Sequence, residues 1–384
     1  MRCASRGCFW AAVLALGITA GCGDATSAGQ SLPDLPAPYW TVTSTSTSGP
    51  LGSPVAEGDG TLVLKYGSML RGLASTSGAG GGATLWSVTG TLAMTTGSYL
   101  APGTGHILVA GGDLLSLDPA TGTAQWTLPA YEASGTMSTD PTRLFVVRGS
   151  GTPHARVSAV SHAGVPAWTS DSLSSCALAC YFAGTARSGD TIYVAGTVID
   201  PISGVATTTA RPIIVALDRL TGAELWRRID SLAVTGVDYA PLVSGNVLVL
   251  VSETRSGVST LDRFSRVEVW RRTVDGQLNQ PPRLSGELLV MGYGNTLVAR
   301  SLATGSVTWQ RFYQFTLDAF AVCPNSVIAA STLTLYAYNR STGAWTHGSR
   351  LAITAGLGTQ LYTSTGRAFL TTLIGSTVAE FPCP

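Results

Sequence analysis

The chain has 384 residues, of which 45% are hydrophobic and 12% charged, and its formal net charge is +1. This balance supplies ample apolar material for a core but no global field that would steer the chain toward nucleic acid or an acidic partner. The 45 glycines, with Ser and Thr crowded between short apolar runs, favour many short strands joined by tight turns over helices.

The first 21 residues have the pattern of a lipoprotein signal peptide. Arg2 and Arg6 give a basic start, and the apolar stretch 9–18 is too short to span a bilayer of roughly 30 Å. Thr19-Ala20-Gly21-Cys22 then resembles the lipobox of bacterial lipoproteins, although its first position is usually Leu. We therefore expect Cys22 to be acylated, with an ordinary signal peptide cut nearby as the alternative.

Residues 22–36 are rich in Gly, Ser, Pro and Asp, which is typical of a flexible tether. Gly23 stands where enteric bacteria place the Asp that retains lipoproteins in the inner membrane. This favours an exported protein held on the outer membrane, facing either the periplasm or the cell surface.

Four cysteines remain in the mature chain: Cys176, Cys180, Cys323 and Cys383. An even number in an oxidising compartment indicates two disulfides, for which three pairings exist. We favour Cys176 with Cys180, which share a short loop, and Cys323 with Cys383. A metal site is the alternative, but the Cys-x3-Cys spacing and the scattered histidines argue against it, so we expect no metal.

Eight tryptophans follow the signal peptide at intervals of 36 to 58 residues: Trp40, Trp86, Trp126, Trp168, Trp226, Trp270, Trp309 and Trp345. A repeat of about 40 residues is what four-stranded propeller blades require. The segments Ser116–Trp126 and Ala216–Trp226 align without gaps as small-x-Asp-x2-Thr-Gly-x3-Trp, and other copies keep part of this pattern.

Each position of the repeat has a physical purpose. The Asp accepts hydrogen bonds from turn amides, the Gly tolerates positive φ, the Trp offers its ring to the neighbouring blade, and the small residue leaves room for that ring. The copy ending at Trp345 has a shortened turn in this alignment. The predicted structural positions are Asp118, Gly122, Trp126, Asp218, Gly222, Trp226, Asp262, Trp270, Gly305, Trp309, Gly343 and Trp345.

This pattern resembles the tryptophan-docking motif of PQQ-type propeller repeats, which the pyrroloquinoline quinone dehydrogenases share with the outer-membrane assembly factor BamB. The resemblance implies an all-β fold, a β-propeller over residues 37–384, and the eight tryptophans with the two incomplete chain ends favour eight four-stranded antiparallel blades. The strand at 37–42 would pair with the last strand near 378–381 and so remove the exposed edges. Seven blades is the alternative.

The two kinds of relative imply different functions. The dehydrogenases commonly carry an adjacent Cys-Cys pair, and this chain has none. Asp118, Asp218 and Asp262 occupy turn positions, so we expect no catalysis and no cofactor. Resemblance to BamB implies a monomeric outer-membrane lipoprotein whose loops bind a partner protein of the envelope, with outer-membrane protein assembly as the specific role. A surface propeller that binds a glycan or another ligand is the alternative.

Two segments are candidates for binding. The 58-residue interval from Trp168 to Trp226 is predicted to hold an inserted loop over 197–211, which either binds a ligand or is an elongated hairpin without contacts. Arg227-Arg228 and Arg271-Arg272 follow two consecutive Trp repeats. Their four guanidinium groups either form one basic face, suited to an acidic loop or to lipid headgroups, or serve solubility.

Overall fold

A computed structural model of the chain describes residues 34–35, 37–43, 56–66, 69–76, 80–89, 99–103, 105–171, 173, 179–201, 208–229, 237–252, 257–274, 276–332, 334–350, 359–364, 366–372 and 377–384. They lie within a compact unit that runs from Leu32 to Pro384. The predicted signal peptide, Cys22 and Cys176 fall outside the described residues.

All the regular structure in these segments is β-strand, so no helix long and apolar enough to cross a bilayer occurs in them. The strands are β1 (Trp40–Thr43), β2 (Ala56–Gly58), β3 (Thr61–Tyr66), β4 (Met69–Ala74), β5 (Thr84–Thr89), β6 (Tyr99–Gly103), β7 (His106–Ala110), β8 (Leu114–Leu117), β9 (Ala124–Leu128), β10 (Ala133–Thr139), β11 (Arg143–Arg148), β12 (Arg156–Ser161), β13 (Pro166–Thr169), β14 (Ala179–Ser188), β15 (Thr191–Pro201), β16 (Thr208–Asp218), β17 (Glu224–Ile229), β18 (Leu242–Ser244), β19 (Val247–Ser252), β20 (Gly257–Asp262), β21 (Glu268–Thr273), β22 (Arg283–Ser285), β23 (Leu288–Tyr293), β24 (Thr296–Ser301), β25 (Val307–Phe312), β26 (Leu317–Val322), β27 (Ser326–Ser331), β28 (Thr334–Asn339), β29 (Trp345–Arg350), β30 (Gln360–Ser364), β31 (Arg367–Thr371) and β32 (Thr377–Pro382).

The strands pair in consecutive antiparallel groups of four. Five sheets hold β2–β5, β6–β9, β18–β21, β22–β25 and β26–β29, and an eight-stranded sheet joins β10–β13 to β14–β17. The join is a single parallel pair between Thr136 and Gly184, beside which the Thr185 hydroxyl accepts a hydrogen bond from the Ser138 amide. Below, a sheet is named by the tryptophan on its fourth strand, for example the Trp226 sheet for β14–β17 and the Trp270 sheet for β18–β21.

The last sheet takes its fourth strand from the other end of the chain. Strands β30, β31 and β32 are followed by β1, with Trp40 opposite Glu380 and Thr43 opposite Thr377. The structure therefore contains the pairing of N-terminal and C-terminal strands that the sequence predicted. A further residue, Tyr39, extends it by donating its amide to the Glu380 carbonyl at 2.8 Å.

Apolar layers lie between successive sheets. One of them combines Val63 and Leu70 of the second and third strands of one sheet with Ile107 and Leu115 of the next, and all four are buried. The middle strands are covered on both faces, which explains why they read as continuous apolar runs without polar alternation.

Packing begins earlier in the chain than the sequence indicated. Leu35 is only 6% exposed and belongs to an apolar cluster with Cys323 and Cys383. Residue 36 was the expected end of a flexible tether, and this boundary is wrong because an aliphatic side chain ahead of it is buried. Cys323 and Cys383 form a disulfide with a Cα–Cα distance of 5.7 Å.

Of the two alternatives for 197–211, the structure shows the elongated hairpin in the residues that it describes. Strands β15 and β16 pair without interruption from Thr191–Asp218 at one end to Pro201–Thr208 at the other. Each has 11 residues, against six in β19 and β20. Thr, Val and Ile dominate this segment, and β-branched residues favour strands over loops.

Candidate binding surfaces

The repeat tryptophans fasten each sheet to the next. The indole N–H of Trp86 donates to the Pro119 carbonyl at 2.7 Å, in the turn that precedes the fourth strand of the following sheet. Four other tryptophans repeat this contact: Trp126 to His162, Trp168 to Arg219, Trp270 to Leu302 and Trp309 to Arg340. The motif therefore connects neighbouring sheets. The tryptophan of one copy contacts the turn of the following sheet, and the turn of that copy receives the tryptophan of the preceding sheet.

The glycine of each turn is the surface on which the preceding tryptophan rests. A Cβ at Gly222 would lie 2.4 Å from the Trp168 ring, and one at Gly122 would lie 2.5 Å from the Trp86 ring. Gly222 also has a φ of +74°. Any side chain here would meet both a backbone penalty and a collision.

The acid of the turn is occupied with the backbone. Asp218 accepts hydrogen bonds from the Leu220 and Thr221 amides, and Asp118 and Asp262 do the same in their own turns. The hydroxyl and amide of Thr221 hold the pKa of Asp218 below its ordinary value. These hydrogen bonds agree with the turn-forming role that the sequence predicted for the three acids.

The assignment of Trp345 to the docking position is wrong. The turn before it has full length, with Asn339 in place of the Asp, accepting from the Ser341 and Thr342 amides. In register, His347 lies opposite the small residue Ala337, where the other repeats have their tryptophan. Trp345 lies two residues earlier, is 39% exposed, and donates its indole N–H to the His347 carbonyl in its own strand.

One turn departs from the docking pattern. In the Trp270 sheet, Arg266 stands where the repeat has glycine, yet it keeps a φ of +64°. Its guanidinium carbon lies 5.6 Å from the centre of the Trp226 ring, and its carbonyl accepts a hydrogen bond from Arg228. A residue other than glycine in this conformation is unusual and costs energy.

The four arginines predicted as one basic face divide into two pairs. Arg227 and Arg271 form salt bridges with Glu224 and Glu268, three residues earlier on the same strands. Hydrogen bonding to Glu224 raises the pKa of Arg227. Arg228 and Arg272 make only the main-chain contacts to Arg266 and Arg271 among the described residues. The uncompensated charge is therefore half of what the sequence suggested.

The turns with these residues lie on one side of the sheets. In a four-stranded antiparallel sheet, the turn after the first strand and the turn after the third strand share one edge. The docked tryptophans place this edge of each sheet beside the same edge of the next. We call this common side the turn face. The hairpin between the second and third strands is at the opposite edge.

Exposed apolar side chains mark the turn face of the Trp226 and Trp270 sheets. Phe264 and Val267, in one turn, are 63% and 61% exposed, and Leu220, in the neighbouring turn, is 54% exposed. Leu225 and Val269 are also exposed, each directly before a tryptophan at a β-bulge. We name these five apolar residues, together with Arg228, Arg263 and Arg266, the arginine rim.

The opposite edge has its own distinctive element. Strands β14, β15 and β16 continue beyond their neighbours there, and the β11–β12 turn is fastened to them by the Thr152–Cys180 bridge and by the Gly151 amide, which donates to the Cys180 carbonyl at 2.7 Å. Tyr181 is 55% exposed on this extension. Cys180 is itself disulfide-bonded. We name β14–β16 beyond residue 195 of the central strand the strand extension.

Both surfaces are candidates for binding. Within the described ranges, no group of three or more His, Cys, Asp and Glu side chains could hold a metal ion. Sequence reasoning identified the arginines and the long interval but missed Phe264, Val267 and Arg266. The signal was present in the second turn, where Arg263-Phe264-Ser265-Arg266 replaces the expected x2-Thr-Gly.

Comparisons with known proteins agree with this architecture. The sequence profile of a family described as outer membrane protein assembly factor BamB matches residues 70–311 and 210–345. The crystal structure of BamB from Moraxella catarrhalis is 13% identical, with a TM-score of 0.62, covering 90% of this chain and 97% of that one. The quinohemoprotein alcohol dehydrogenase from Comamonas testosteroni is 12% identical, with a TM-score of 0.63, covering 90% and 76%.

A computationally designed protein, Ika8, gives a TM-score of 0.65 at 12% identity, covering 88% of this chain and 98% of the design. No curated protein sequence matches the chain. At such identities the structural likenesses establish the fold, a β-propeller of PQQ-type repeats, and leave function to the chain's own surfaces.

Proposed function

The chain belongs to the family described as outer membrane protein assembly factor BamB, and from that premise we propose that it is a non-catalytic, membrane-anchored scaffold that binds a partner protein in outer-membrane protein assembly. The observation that carries the proposal is the family match, which extends from residue 70 to residue 345 over the repeats themselves. The occupied turn acids favour a scaffold over an enzyme of the quinone-dependent class.

We infer eight blades for the propeller. The strand groups support this count, because the eight-stranded sheet divides into two antiparallel groups of four that share only the Thr136–Gly184 pair. The last blade would be completed by β1, so that no blade lacks an outer strand. We also propose that Cys176 and Cys180 form a disulfide, the second one in the chain beside Cys323–Cys383.

The membrane anchor is part of the proposal. Acylated Cys22 would hold the propeller on the outer membrane through the short segment before Leu35. Labelling with a fatty-acid analogue should mark the wild-type chain and be lost in Cys22→Ser. Equal labelling of both chains would remove the anchor from the proposal.

The strand extension is the surface we assign to the partner protein. It projects beyond the neighbouring sheets, exposes Tyr181, and is stiffened by the Thr152–Cys180 bridge and by continuous strand pairing. A stiff projecting element binds with little loss of conformational entropy. Tyr181 would supply one of the contacts that distinguish one partner from others.

A trimmed hairpin tests this assignment. Replacing residues 199–210 by Asn-Gly joins Val198 to Arg211, which are opposite each other in the hairpin, by a turn that suits two antiparallel strands. The matched control places Asn-Gly between Ser252 and Gly257, an opposite pair in the Trp270 sheet. After cross-linking in intact cells and gentle solubilisation, the control should recover the same envelope protein as the wild type, and the trimmed chain should not. Recovery of that protein by the trimmed chain would overturn the assignment.

A further inference from the structure

We propose that the arginine rim binds the surface of a membrane that contains anionic lipids. The rim would place its guanidinium groups among lipid phosphates and its apolar tips in the outermost part of the acyl region. The inference goes beyond the scaffold function, because it gives the propeller a fixed face toward the bilayer in addition to an anchor.

The arginines of the rim form no salt bridge within the described residues. Arg228 and Arg266 contact no carboxylate there, and Arg263 adds a smaller electrostatic contribution to the Ser265 hydrogen bonds that lower the pKa of Asp262. Their hydrogen-bond and ring contacts are the Arg266 carbonyl, the Tyr193 hydroxyl and the faces of aromatic rings, and the Nε of Arg263 is buried without a hydrogen-bond partner. Three such groups in two adjacent sheets form a local basic surface on a chain whose net charge is only +1.

Three of the five apolar members of the rim, Leu220, Phe264 and Val267, are in turns. Phe264 and Leu220 hold equivalent positions, two residues after Asp262 and Asp218, and both are more than half exposed. The backbone amides of these tips already donate to the two Asp side chains. Recognition must therefore use side chains, and protruding apolar tips beside arginines suit an interfacial membrane contact.

The point at which the chain enters the domain lies on the same face. Leu35 packs with Cys323, directly after the first strand of its sheet, and with Cys383, directly after the third strand of the next. Both positions are at the turn-face edge of their sheets. This step rests on the proposed anchor at Cys22, from which the 12 intervening residues reach Leu35 over about 45 Å at most. An anchored propeller would then present its turn face to the bilayer.

Binding to vesicles tests the rim separately from the anchor. The mature chain is exported with Cys22→Ser so that it carries no lipid, and is sedimented with vesicles of phosphatidylcholine alone or with 30% phosphatidylglycerol. We expect at least a tenfold preference for the anionic vesicles, decreasing between 0.1 and 0.5 M NaCl because salt screens the arginines. Phe264→Ser with Arg266→Glu should weaken this binding at least tenfold.

The matched control changes the same residue types at the opposite edge, Phe315→Ser with Arg156→Glu, both exposed. This control should bind vesicles like the parent chain, and both variants should melt like it. Equal binding by the rim variant and its control, or no preference for anionic vesicles, would overturn the proposal. If the rim variant instead loses a cross-linked protein without any vesicle binding by the parent, the rim is a protein surface. Because the lipid on Cys22 is absent throughout, failure here leaves the scaffold proposal standing.

Discussion

At the scale of single residues, each contact of the repeat joins a tryptophan of one sheet to a turn of the next sheet. Trp168 donates to Arg219 and rests against Gly222, while Trp226, in the same sheet as that turn, meets Arg266 of the next sheet. A substitution in one turn therefore acts on the preceding tryptophan. The contribution of the turn glycine to stability and the contribution of the charged residues near it can be measured separately with single substitutions.

Gly222→Ala should destabilise the propeller far more than Gly60→Ala. The two glycines have φ values of +74° and +75°, but a Cβ at Gly60 meets nothing within 4 Å, whereas one at Gly222 would collide with the Trp168 ring. The backbone penalty of about 1–2 kcal/mol is common to both, and overpacking adds about 1–3 kcal/mol at Gly222 alone. Denaturant unfolding measures the difference, and equal losses would show that the ring does not rest on this glycine.

Asp140 should contribute to resistance against acid. Burial of its carboxylate acts to raise the pKa, but hydrogen bonds from Thr142, Arg219 and Arg143 outweigh it and lower the pKa to about 2 from an ordinary 3.8. Because the folded-state pKa is depressed, this stability is complete above pH 4 and is lost as the pH falls toward 2. The difference corresponds to about 2 kcal/mol.

Asp140→Asn should therefore lower the free energy of unfolding at pH 7 by about 2 kcal/mol and flatten its decline between pH 4 and pH 2. Asp190→Asn is the control, because Asp190 bonds the same Arg219 at 3.1 Å but its side chain is 80% exposed. An exposed ion pair contributes less than about 1 kcal/mol. Urea unfolding across this pH range measures the free energy of unfolding of both variants. Equal losses in the two would contradict the stabilising role of Asp140.

Sequence could predict the residues of a turn but not all their partners across sheets. The acids Asp118 and Asp218 were recognisable because an Asx turn is local, contained within three residues. The Asp140–Arg219 bridge joins residues 79 apart in two sheets, so no local pattern reveals it. Arg266 was visible as a departure from the repeat, but its position over Trp226 depends on the meeting of two sheets.

At the scale of the strand and the turn, the register of pairing decides what a residue does. Spacing alone made Trp345 look like the eighth repeat tryptophan, because an indole is the most conspicuous feature of each copy. Pairing assigns that position to His347, opposite Ala337. The same limit affected 197–211, where the length of the interval left a binding loop and an elongated hairpin open, and the pairing of β15 with β16 shows the hairpin.

Trp309→Ala should cost much more stability than Trp345→Ala. Trp309 is 5% exposed and donates to the Arg340 carbonyl at 2.9 Å, so its removal opens a cavity between sheets and should cost about 3–5 kcal/mol. Trp345 is 39% exposed and donates within its own strand, so we expect a loss of about 1 kcal/mol. Unfolding by denaturant, with circular dichroism as the probe, compares them, and a larger loss at Trp345 would restore it to the docking role.

At the scale of the whole domain, the pairing of the two chain ends is the feature on which the other contacts depend. Glu380 of β32 is fully buried and pairs with Arg367 at 3.1 Å, and the same guanidinium donates to the Ser75 carbonyl of the first sheet at 2.7 Å. The last sheet is thus joined to the first by the hydrogen bond from Arg367 to Ser75 and by apolar contacts, and the Arg367–Glu380 ion pair within the last sheet holds that guanidinium in place. The sequence predicted the strand pairing from its two incomplete ends, whereas Leu35 and the ion pair required the packed structure.

Stepwise N-terminal truncation should reveal each contribution in turn. A chain that begins at Leu32 should melt like one that begins at Asp24, since both keep Leu35 and β1. Beginning at Ala37 removes Leu35, whose burial contributes about 1.5–3 kcal/mol, and should lower the melting temperature by several degrees.

Beginning at Ser44 also removes β1, exposes the edge of β32, and opens the surroundings of the buried Glu380. An unpaired edge beside a charge buried in the fold favours both unfolding and association between chains, so this last chain should aggregate or melt far below the others. Calorimetry and light scattering on the four chains, all lacking Cys22, would contradict closure by β1 if the chain from Ser44 stayed monomeric and melted like the chain from Ala37.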